Sequence, residues 1–145
     1  MALTLDLLAK TLLDAPIGYV EQTLAEILKI PVHIDVVEQN STSGTKYVRK
    51  VVISAGQFPI VSAVVKFDST ILPKSVMSDL LQKKEGIGNI LRKNNISARR
   101  NAILINFDPN RKKITRSYEI LYSDSVWFEI AEEIRLDLLS ASQNS

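Results

Sequence analysis

The sequence predicts an α+β domain in which helices cover a single antiparallel β-sheet. Two pairs of strand-like segments are each joined by a short turn, which is typical of β-hairpins and hence of antiparallel pairing. A further strand-like segment lies near the C-terminus, and segments with helical apolar spacing lie before and between the strands. We therefore expect residues 1–145 to form one domain around one sheet.

The composition is that of an ordinary globular protein and excludes several classes of site. Hydrophobic residues make up 46% of the chain and charged residues 23%, with a formal net charge of +2. The chain has no cysteine and one histidine, His33, which excludes disulfides, Cys/His zinc sites and Ser-His-Asp triads. No apolar run approaches the ~20 residues of a membrane span, and the N-terminus lacks a basic signal region. We expect a cytoplasmic setting, or the plastid stroma for an organelle-encoded chain.

The N-terminal third predicts two helices and a strand. Leucines at helical spacing indicate a helix over residues 3–13, and an apolar stripe that includes Val20 indicates a second helix over 17–30. Alternating apolar residues over 32–37 indicate a half-buried strand. The polar residues 39–44 are expected to form a flexible loop.

The middle third predicts a hairpin followed by a helix. Residues 46–54 and 59–67 are strand-like and flank a short glycine-containing turn. Both faces of the first strand are apolar, so the pattern alone does not decide whether Arg49 or Lys50 points inward. Residues 71–84 carry apolar residues at helical spacing and are expected to form a helix.

A pair of glycines separates this helix from a shorter one expected over residues 89–94. Gly86 and Gly88 flank Ile87, and two glycines around one apolar residue permit close approach of the backbone to a ligand. Gly86 is explained equally well as the C-terminal cap of the preceding helix.

The last third predicts a second hairpin. Residues 96–107 and 114–122 are strand-like and flank a polar turn. Arg116 shares a strand face with apolar residues, so it is expected either to line a pocket and pair with a carboxylate or to cover apolar surface with its aliphatic stem. Basic clusters such as Arg99-Arg100 are expected at solvated strand ends. We expect no nucleic-acid partner, because aromatic interleaving and a strong net charge are missing.

The final strand-like segment, residues 125–134, places a carboxylate on an apolar face. Alternation groups Glu132 with residues such as Phe128 and puts Trp127 on the opposite face. A carboxylate on an apolar face needs a donor or cation beside it, or a raised pKa. Glu132 is therefore a candidate site residue. It is solvated instead if the strand ends after Ala131 or continues as the C-terminal helix.

Four ordered motifs resemble the chorismate pyruvate-lyase family, most closely its small archaeal, cyanobacterial and plastid-encoded branch. The motifs are Val48-Arg49-Lys50-Val51-Val52, Gly86-Ile87-Gly88-Asn89-Ile90-Leu91, Arg116-Ser117-Tyr118 and Phe128-Glu129-Ile130-Ala131-Glu132. The resemblance covers residues 17–134 and implies a six-stranded antiparallel sheet with helices around a small aromatic-acid pocket. It also implies elimination of pyruvate from chorismate to leave 4-hydroxybenzoate, without a metal or organic cofactor. Similar proteins serve quinone biosynthesis.

The resemblance implies a role for each matching residue. Arg49 matches the arginine that binds the substrate carboxylate, and Ile87 matches a leucine whose backbone N–H donates to the same carboxylate. Glu132 matches the glutamate that meets the ring hydroxyl, and Val20 falls at a further pocket position. The family often has glutamate where this chain has Lys50. That change leaves the pocket intact if Lys50 faces away from it.

A non-catalytic module that binds a small aromatic acid is the alternative reading. Effector-sensing domains of some bacterial repressors resemble the lyases in architecture, and a fold does not fix a function. Such domains usually follow a DNA-binding helix-turn-helix segment, for which a single domain of 145 residues is expected to leave no room. We therefore expect a lyase whose partner is the small molecule chorismate.

Overall fold

The structure is a computed structural model that describes residues 5–14, 20–29 and 31–143. Within these residues the chain forms five α-helices, a short 3-10 helix and six β-strands. In chain order the elements are α1 (Leu5–Leu13), α2 (Val20–Leu28), β1 (Val32–Ser43), β2 (Lys46–Ala55), β3 (Phe58–Asp68), the 3-10 helix (Ser69–Ile71), α3 (Lys74–Leu81), α4 (Ile87–Lys93), β4 (Arg99–Asp108), β5 (Lys113–Tyr122), β6 (Ser125–Arg135) and α5 (Leu136–Gln143). None of the helices in this part of the chain is long and apolar enough to cross a membrane.

The six strands form one antiparallel sheet in the order β1-β2-β3-β6-β5-β4. Strands β1 to β3 make one half of the sheet and β4 to β6 make the other. The halves join where β3 pairs with β6, from Val61 opposite Ile134 to Lys66 opposite Glu129. The predicted α+β fold with a single antiparallel sheet is confirmed.

Two-residue turns join β1 to β2, β2 to β3 and β5 to β6. Gly44 and Gly56 have φ values of 60° and 58°, which glycine adopts without steric cost. Ser123 and Asp124 form the turn between β5 and β6, and both have positive φ, at 48° and 64°. Positive φ at both turn positions matches the right-handed twist of paired strands. These turns fix which side chains share a face of the sheet.

Helices pack on one face of the sheet, which we call the helix-covered face. One core cluster joins α1, α2 and α5 to the sheet and includes Leu12, Leu24 and Ile134. A second cluster joins α3 and α4 to the sheet and includes Leu80 and Phe128. Because the buried side chains fall into two clusters, the sheet surface between them is left for polar side chains.

The opposite surface of the sheet, which we call the open face, is largely exposed. Lys50, Ser62, Glu129 and Ala131 point to this face and are exposed. Antiparallel sheets commonly bury one face and leave the other in water. Lys50 lies 3.3 Å from the Glu38 carboxylate. Lys50 therefore lies on the face opposite to that of Arg49. This is the condition under which lysine in place of the family's glutamate leaves the pocket intact.

Strand β1 is longer than predicted. A loop was expected over residues 39–44, but β1 runs to Ser43, and its residues from Glu38 onward pair with the start of β2. The expectation is wrong because backbone pairing with β2 holds residues whose polar side chains suit an exposed edge strand. Of this segment, only Gln39 is buried.

Strict alternation of side chains also predicts the wrong face of the sheet for Trp127. Ile120 pairs with Phe128 and Leu121 pairs with Val126, so Trp127 is an extra residue in β6. Such a β-bulge breaks the two-residue period. Trp127 is consequently buried, with its ring 4.7 Å from that of Tyr122.

The helix predicted over 71–84 is shorter than its apolar pattern suggests. The segment expected to be one helix over 71–84 contains the end of the 3-10 helix, Pro73 and then α3. The outer residues of the first two predicted helices lie outside the described residues. Strand β6 continues to Arg135 before α5 begins, so Glu132 belongs to the strand and the helical alternative for it is wrong.

Candidate functional site

Three charged side chains point from the sheet onto the helix-covered face. Glu132 of β6 lies directly opposite Arg116 of β5. Arg49 of β2 lies opposite Val65, which lies opposite Ile130. Directly opposed residues of antiparallel strands share a face, as do residues two apart on one strand. Arg49, Arg116 and Glu132 are therefore on one side of the sheet, between the two core clusters.

The Arg49 guanidinium is buried with most of its donors unused. The side chain is 0% exposed, and its Nη2 donates to the backbone carbonyl of Glu85 at 2.6 Å. Its Nε and Nη1 have no hydrogen-bond partner among the described residues. Burial lowers the pKa of Arg49 to about 10, and the nearby Glu85 charge partly opposes this. Arg49 is thus a cation at neutral pH with two donors available to a ligand.

Glu132, in contrast, has its charge compensated within the protein. Its Oε1 accepts a hydrogen bond from Arg116 Nε in a buried ion pair. Its Oε2 accepts a hydrogen bond from the Tyr118 hydroxyl at 3.3 Å. Arg116 Nη1 also reaches the carbonyl of Leu12 at 3.4 Å, while its Nη2 has no partner in the described part of the chain. Two donors therefore orient the Glu132 carboxylate.

Tyr118 carries its hydroxyl proton at neutral pH, because its pKa is raised. Burial is the first cause that raises the pKa of Tyr118, and the neighbouring Glu132 charge adds to it. The Arg116 and Arg100 guanidinium carbons each lie 5.7 Å from the centre of the Tyr118 ring, and these charges act in the opposite direction. The Tyr118 hydroxyl therefore acts as a hydrogen-bond donor at the side of Glu132.

A cavity of about 370 Å³ lies over these residues. Glu132 and Tyr118 form part of its wall on the sheet side. Gly86, Ile87 and Gly88 form part of its wall at the start of α4. The volume is within the roughly 300–1,000 Å³ of small-molecule sites, which is enough for a substituted six-membered ring.

Ile87 is the first residue of α4 and is buried. The N–H groups of a first helical turn have no acceptor within their own helix, which suits Ile87 to the predicted role of backbone donor. Gly86 precedes it with extended backbone, and a Cβ there would lie 3.1 Å from Ile34 Cδ1. Gly86 is therefore the N-cap of α4 and not the cap of α3, which ends at Leu81.

Of the sequence-predicted site residues, Ile87 and Glu132 line the cavity, and Arg116 pairs with Glu132 without lining it. Arg116 is buried at 3% exposure and pairs with Glu132, so the pairing alternative holds and the solvated one is wrong. Arg49 does not line the cavity itself. Its guanidinium donates a hydrogen bond to the backbone carbonyl of Glu85, which does line it. Val20 begins α2, but its side chain lies outside the described residues, so its pocket role stays a prediction.

Sequence reasoning did not assign Tyr118 or Glu85 to the site. Tyr118 shares the strand face of Arg116, and that alternation is a signal that pointed to it. Glu85 contributes a backbone carbonyl, which no side-chain pattern reveals. Its carboxylate is held by Lys93 at 2.8 Å and by Asn89 at 2.7 Å, so it does not compensate Arg49 by direct contact.

Comparison with known proteins leaves the family open. No protein-family model matches the chain, and no curated protein matches it in sequence. Among solved structures, the chain is similar to a transcriptional regulator of the GntR family from Bacillus cereus. The sequence identity is 9%, the match covers 73% of this chain and 92% of that chain, and the TM-score is 0.49. None of these comparisons assigns a ligand or a reaction to this chain.

Proposed function

We propose that the protein is a chorismate lyase, which eliminates pyruvate from chorismate to give 4-hydroxybenzoate. The observation that carries the proposal is the Arg49 guanidinium, which is buried and charged and has no counter-ion in direct contact among the residues that the structure describes. A buried cation is costly unless it is paired, and a bidentate carboxylate is the partner that suits a guanidinium best. Arg49 Nε and Nη1 supply the donors for the ring carboxylate of the substrate.

The balance of charges in the site supports one tightly held carboxylate. Arg116 and Glu132 neutralise each other, and Glu85 is paired with Lys93. Of these five charged residues, Arg49 is the one left to hold the ring carboxylate of the ligand. Chorismate carries a second carboxylate on its enolpyruvyl ether. Lys84 and Arg92 also line the cavity, and they place positive charge where this second carboxylate leaves the ring.

Ligand access to Arg49 involves the start of α4. Because Arg49 is fully buried and bonded to the carbonyl of Glu85, a carboxylate reaches it only when the segment containing Glu85 and Gly86 shifts. Substrate binding is then coupled to a small movement of the cavity wall. The same movement brings the backbone N–H of Ile87 toward the ring carboxylate.

The reaction can be written with the side chains of the site alone. Elimination breaks the C3–O bond to the enolpyruvyl group and removes the proton on C4, whose electron pair forms the new ring double bond. Glu132 lies at the C4 oxygen and takes this proton, and the Tyr118 hydroxyl protonates the departing enolpyruvate oxygen. Glu132 then returns a proton to Tyr118 through their hydrogen bond, and the enol becomes pyruvate. Aromatisation supplies driving force, so positioning is a large part of catalysis.

A non-catalytic module for small aromatic acids is the second candidate. The ion pair with Arg116 favours it, because both carboxylate oxygens of Glu132 already accept hydrogen bonds, from Arg116 and from Tyr118. In this case Arg49 binds the carboxylate of the ligand as before. Glu132 then accepts a hydrogen bond from the ring hydroxyl and removes no proton.

Incubation with chorismate separates the two candidates. The lyase forms 4-hydroxybenzoate and pyruvate in equal amounts, without added metal and with no effect of a chelator. Chromatography measures the first product and a coupled dehydrogenase assay measures the second. Binding of 4-hydroxybenzoate without turnover of chorismate supports the module. Absence of both binding and turnover contradicts both candidates.

A further inference from the structure

Gln39 of β1 is a buried polar side chain whose acceptor has no partner. The residue is 7% exposed, and its Nε2 donates to the carbonyl of Leu80, near the end of α3, at 2.9 Å. Its Oε1 is buried and accepts no hydrogen bond from the described residues. The contact with Leu80 fixes the amide, because a flipped amide would set its oxygen against a carbonyl oxygen. A buried acceptor without a donor costs free energy, so a specific role is expected for it.

A bulge in β1 decides that Gln39 lies beside Arg49. The register of β1 against β2 shifts by one residue at Val37. Such bulges re-aim side chains and are frequent beside active sites. Without the extra residue Glu38 would lie opposite Arg49, whereas with it Gln39 takes that position and Glu38 points to the open face. The bulge therefore sets a neutral amide, and not a carboxylate, against the buried cation.

Gln39 and Arg49 have complementary unused groups. Directly opposed residues of an antiparallel pair have Cβ atoms roughly 4.5–5.5 Å apart and share a face of the sheet. The glutamine Oε1 and the arginine Nε are the same number of bonds from Cβ, so the amide reaches the level of the guanidinium above the sheet. Within the described residues, Gln39 has an acceptor without a donor, and Arg49 has Nε and Nη1 without an acceptor.

We propose that Gln39 is a positioning residue of the ligand-binding site, in which its Oε1 accepts a hydrogen bond from the Arg49 guanidinium. The proposal rests on the function proposed above, in which Arg49 binds the carboxylate of the ligand. When the Glu85 carbonyl moves away to admit the ligand, the Gln39 oxygen holds the guanidinium from the side of β1. A guanidinium has more N–H donors than a bidentate carboxylate takes, so Gln39 and the ligand do not compete.

The neutral amide orients Arg49 without cancelling its charge. A carboxylate in the place of the amide would form a bidentate pair with the guanidinium and occupy the donors that the ligand needs. An amide oxygen takes one donor and leaves the positive charge uncompensated. Gln39 therefore keeps the site selective for an anionic ligand.

Calorimetry with 4-hydroxybenzoate tests the positioning role. Gln39→Met removes the acceptor and is expected to raise the dissociation constant about tenfold, as expected for the loss of one hydrogen bond to a charged group. It also leaves the Leu80 carbonyl unpaired, and the Arg49→Met protein separates this structural effect from positioning. In that protein, titrated at high ligand concentration, Gln39→Met should change the affinity by less than about twofold, because no guanidinium is left to position. An equal loss of affinity in both proteins, or no loss in the wild type, overturns the proposal.

Urea unfolding of Gln39→Glu tests the contact without any ligand. The new carboxylate pairs with Arg49 in the otherwise wild-type protein, but it is buried without a cation in the Arg49→Met protein. Gln39→Glu is therefore expected to lower the urea midpoint further in the Arg49→Met protein. Asn40→Asp is the matched control, since it makes the same change from amide to carboxylate at the next residue, which is exposed. Its effect should be the same in both proteins.

The two measurements distinguish failure of this proposal from failure of the proposed function. If the wild type does not bind 4-hydroxybenzoate, the proposed ligand is wrong, and the unfolding comparison alone decides whether Gln39 contacts Arg49. If the wild type binds the ligand and Gln39→Glu lowers both midpoints equally, the proposed function stands and the role of Gln39 is refuted.

Discussion

Replacing Arg49 by methionine should stabilise the protein while it abolishes ligand binding. The fall of the Arg49 pKa from its usual value to about 10 corresponds to roughly 3 kcal/mol of folding free energy. This cost is fully present below pH 10 and disappears as the pH rises toward 12.5, because the folded state releases this proton before the unfolded state does. Arg49→Met also leaves the Glu85 carbonyl without its donor, which costs about 1–2 kcal/mol. We expect a net gain of about 1–2 kcal/mol.

Arg116→Met is the matched control, and its effect should have the opposite sign. Arg49 and Arg116 are buried to a similar degree, at 0% and 3% exposure, on the same face of the sheet. Removing Arg116 leaves the Glu132 carboxylate buried and without its cation. Breaking a buried ion pair in this way costs roughly 3–5 kcal/mol. Both substitutions replace an arginine by a methionine. Opposite signs of the change in the free energy of unfolding therefore show which arginine has a counter-ion in the protein.

Urea unfolding gives the free energy of each variant, and calorimetry with 4-hydroxybenzoate gives the affinity. A lost charge-assisted contact of about 2–5 kcal/mol should weaken binding to Arg49→Met by roughly thirtyfold or more. The reasoning is refuted if Arg49→Met loses as much stability as Arg116→Met, because Arg49 is then a structural cation. Wild-type affinity in Arg49→Met refutes its role in binding.

Three further substitutions test the roles of neighbouring residues. Glu132→Gln should lower kcat about a hundredfold or more in steady-state assays, and it should lower the free energy of unfolding by about 3 kcal/mol because Arg116 loses its counter-ion. Tyr118→Phe should lower kcat about tenfold while 4-hydroxybenzoate affinity in calorimetry stays within about threefold; unchanged turnover means that Tyr118 does not donate the proton. Lys50→Glu restores the residue common in the resembling family and should leave kcat unchanged, since Lys50 lies on the open face, while unfolding shows a loss of at most about 1 kcal/mol from repulsion by Glu38.

Alternation and turn chemistry were sufficient to predict the sheet and the position of Glu132. The two hairpins follow from strand-like segments around short turns, and both are present. Strand β6 alternates from Phe128 to Ile134 as its sequence does, so Glu132 is buried among apolar neighbours. These features were predictable because each depends on residues close in sequence.

Features that depend on a neighbouring strand were not predictable. Arg49 and Lys50 both have apolar neighbours in sequence, and only packing against the helices decides that Arg49 points inward. Trp127 does not lie on the face that alternation predicts, because no residue of β5 pairs with it. The polar end of β1 is a strand because β2 pairs with it. In each case the deciding contact is distant in the chain or lies in the partner strand.

Strand register decides which buried charge is left for a ligand. Arg116 lies directly opposite Glu132, so its counter-ion is supplied by the adjacent strand. Arg49 lies between Gln39 of β1 and Val65 of β3, and neither side chain carries a charge. A shift of β2 by one residue would turn Arg49 to the open face. The uncompensated cation is therefore fixed by the pairing of three strands, and it persists whenever the sheet is intact. If the proposed function holds, ligand binding is expected to alter the start of α4, which covers the cation, and to leave the sheet that holds it unchanged.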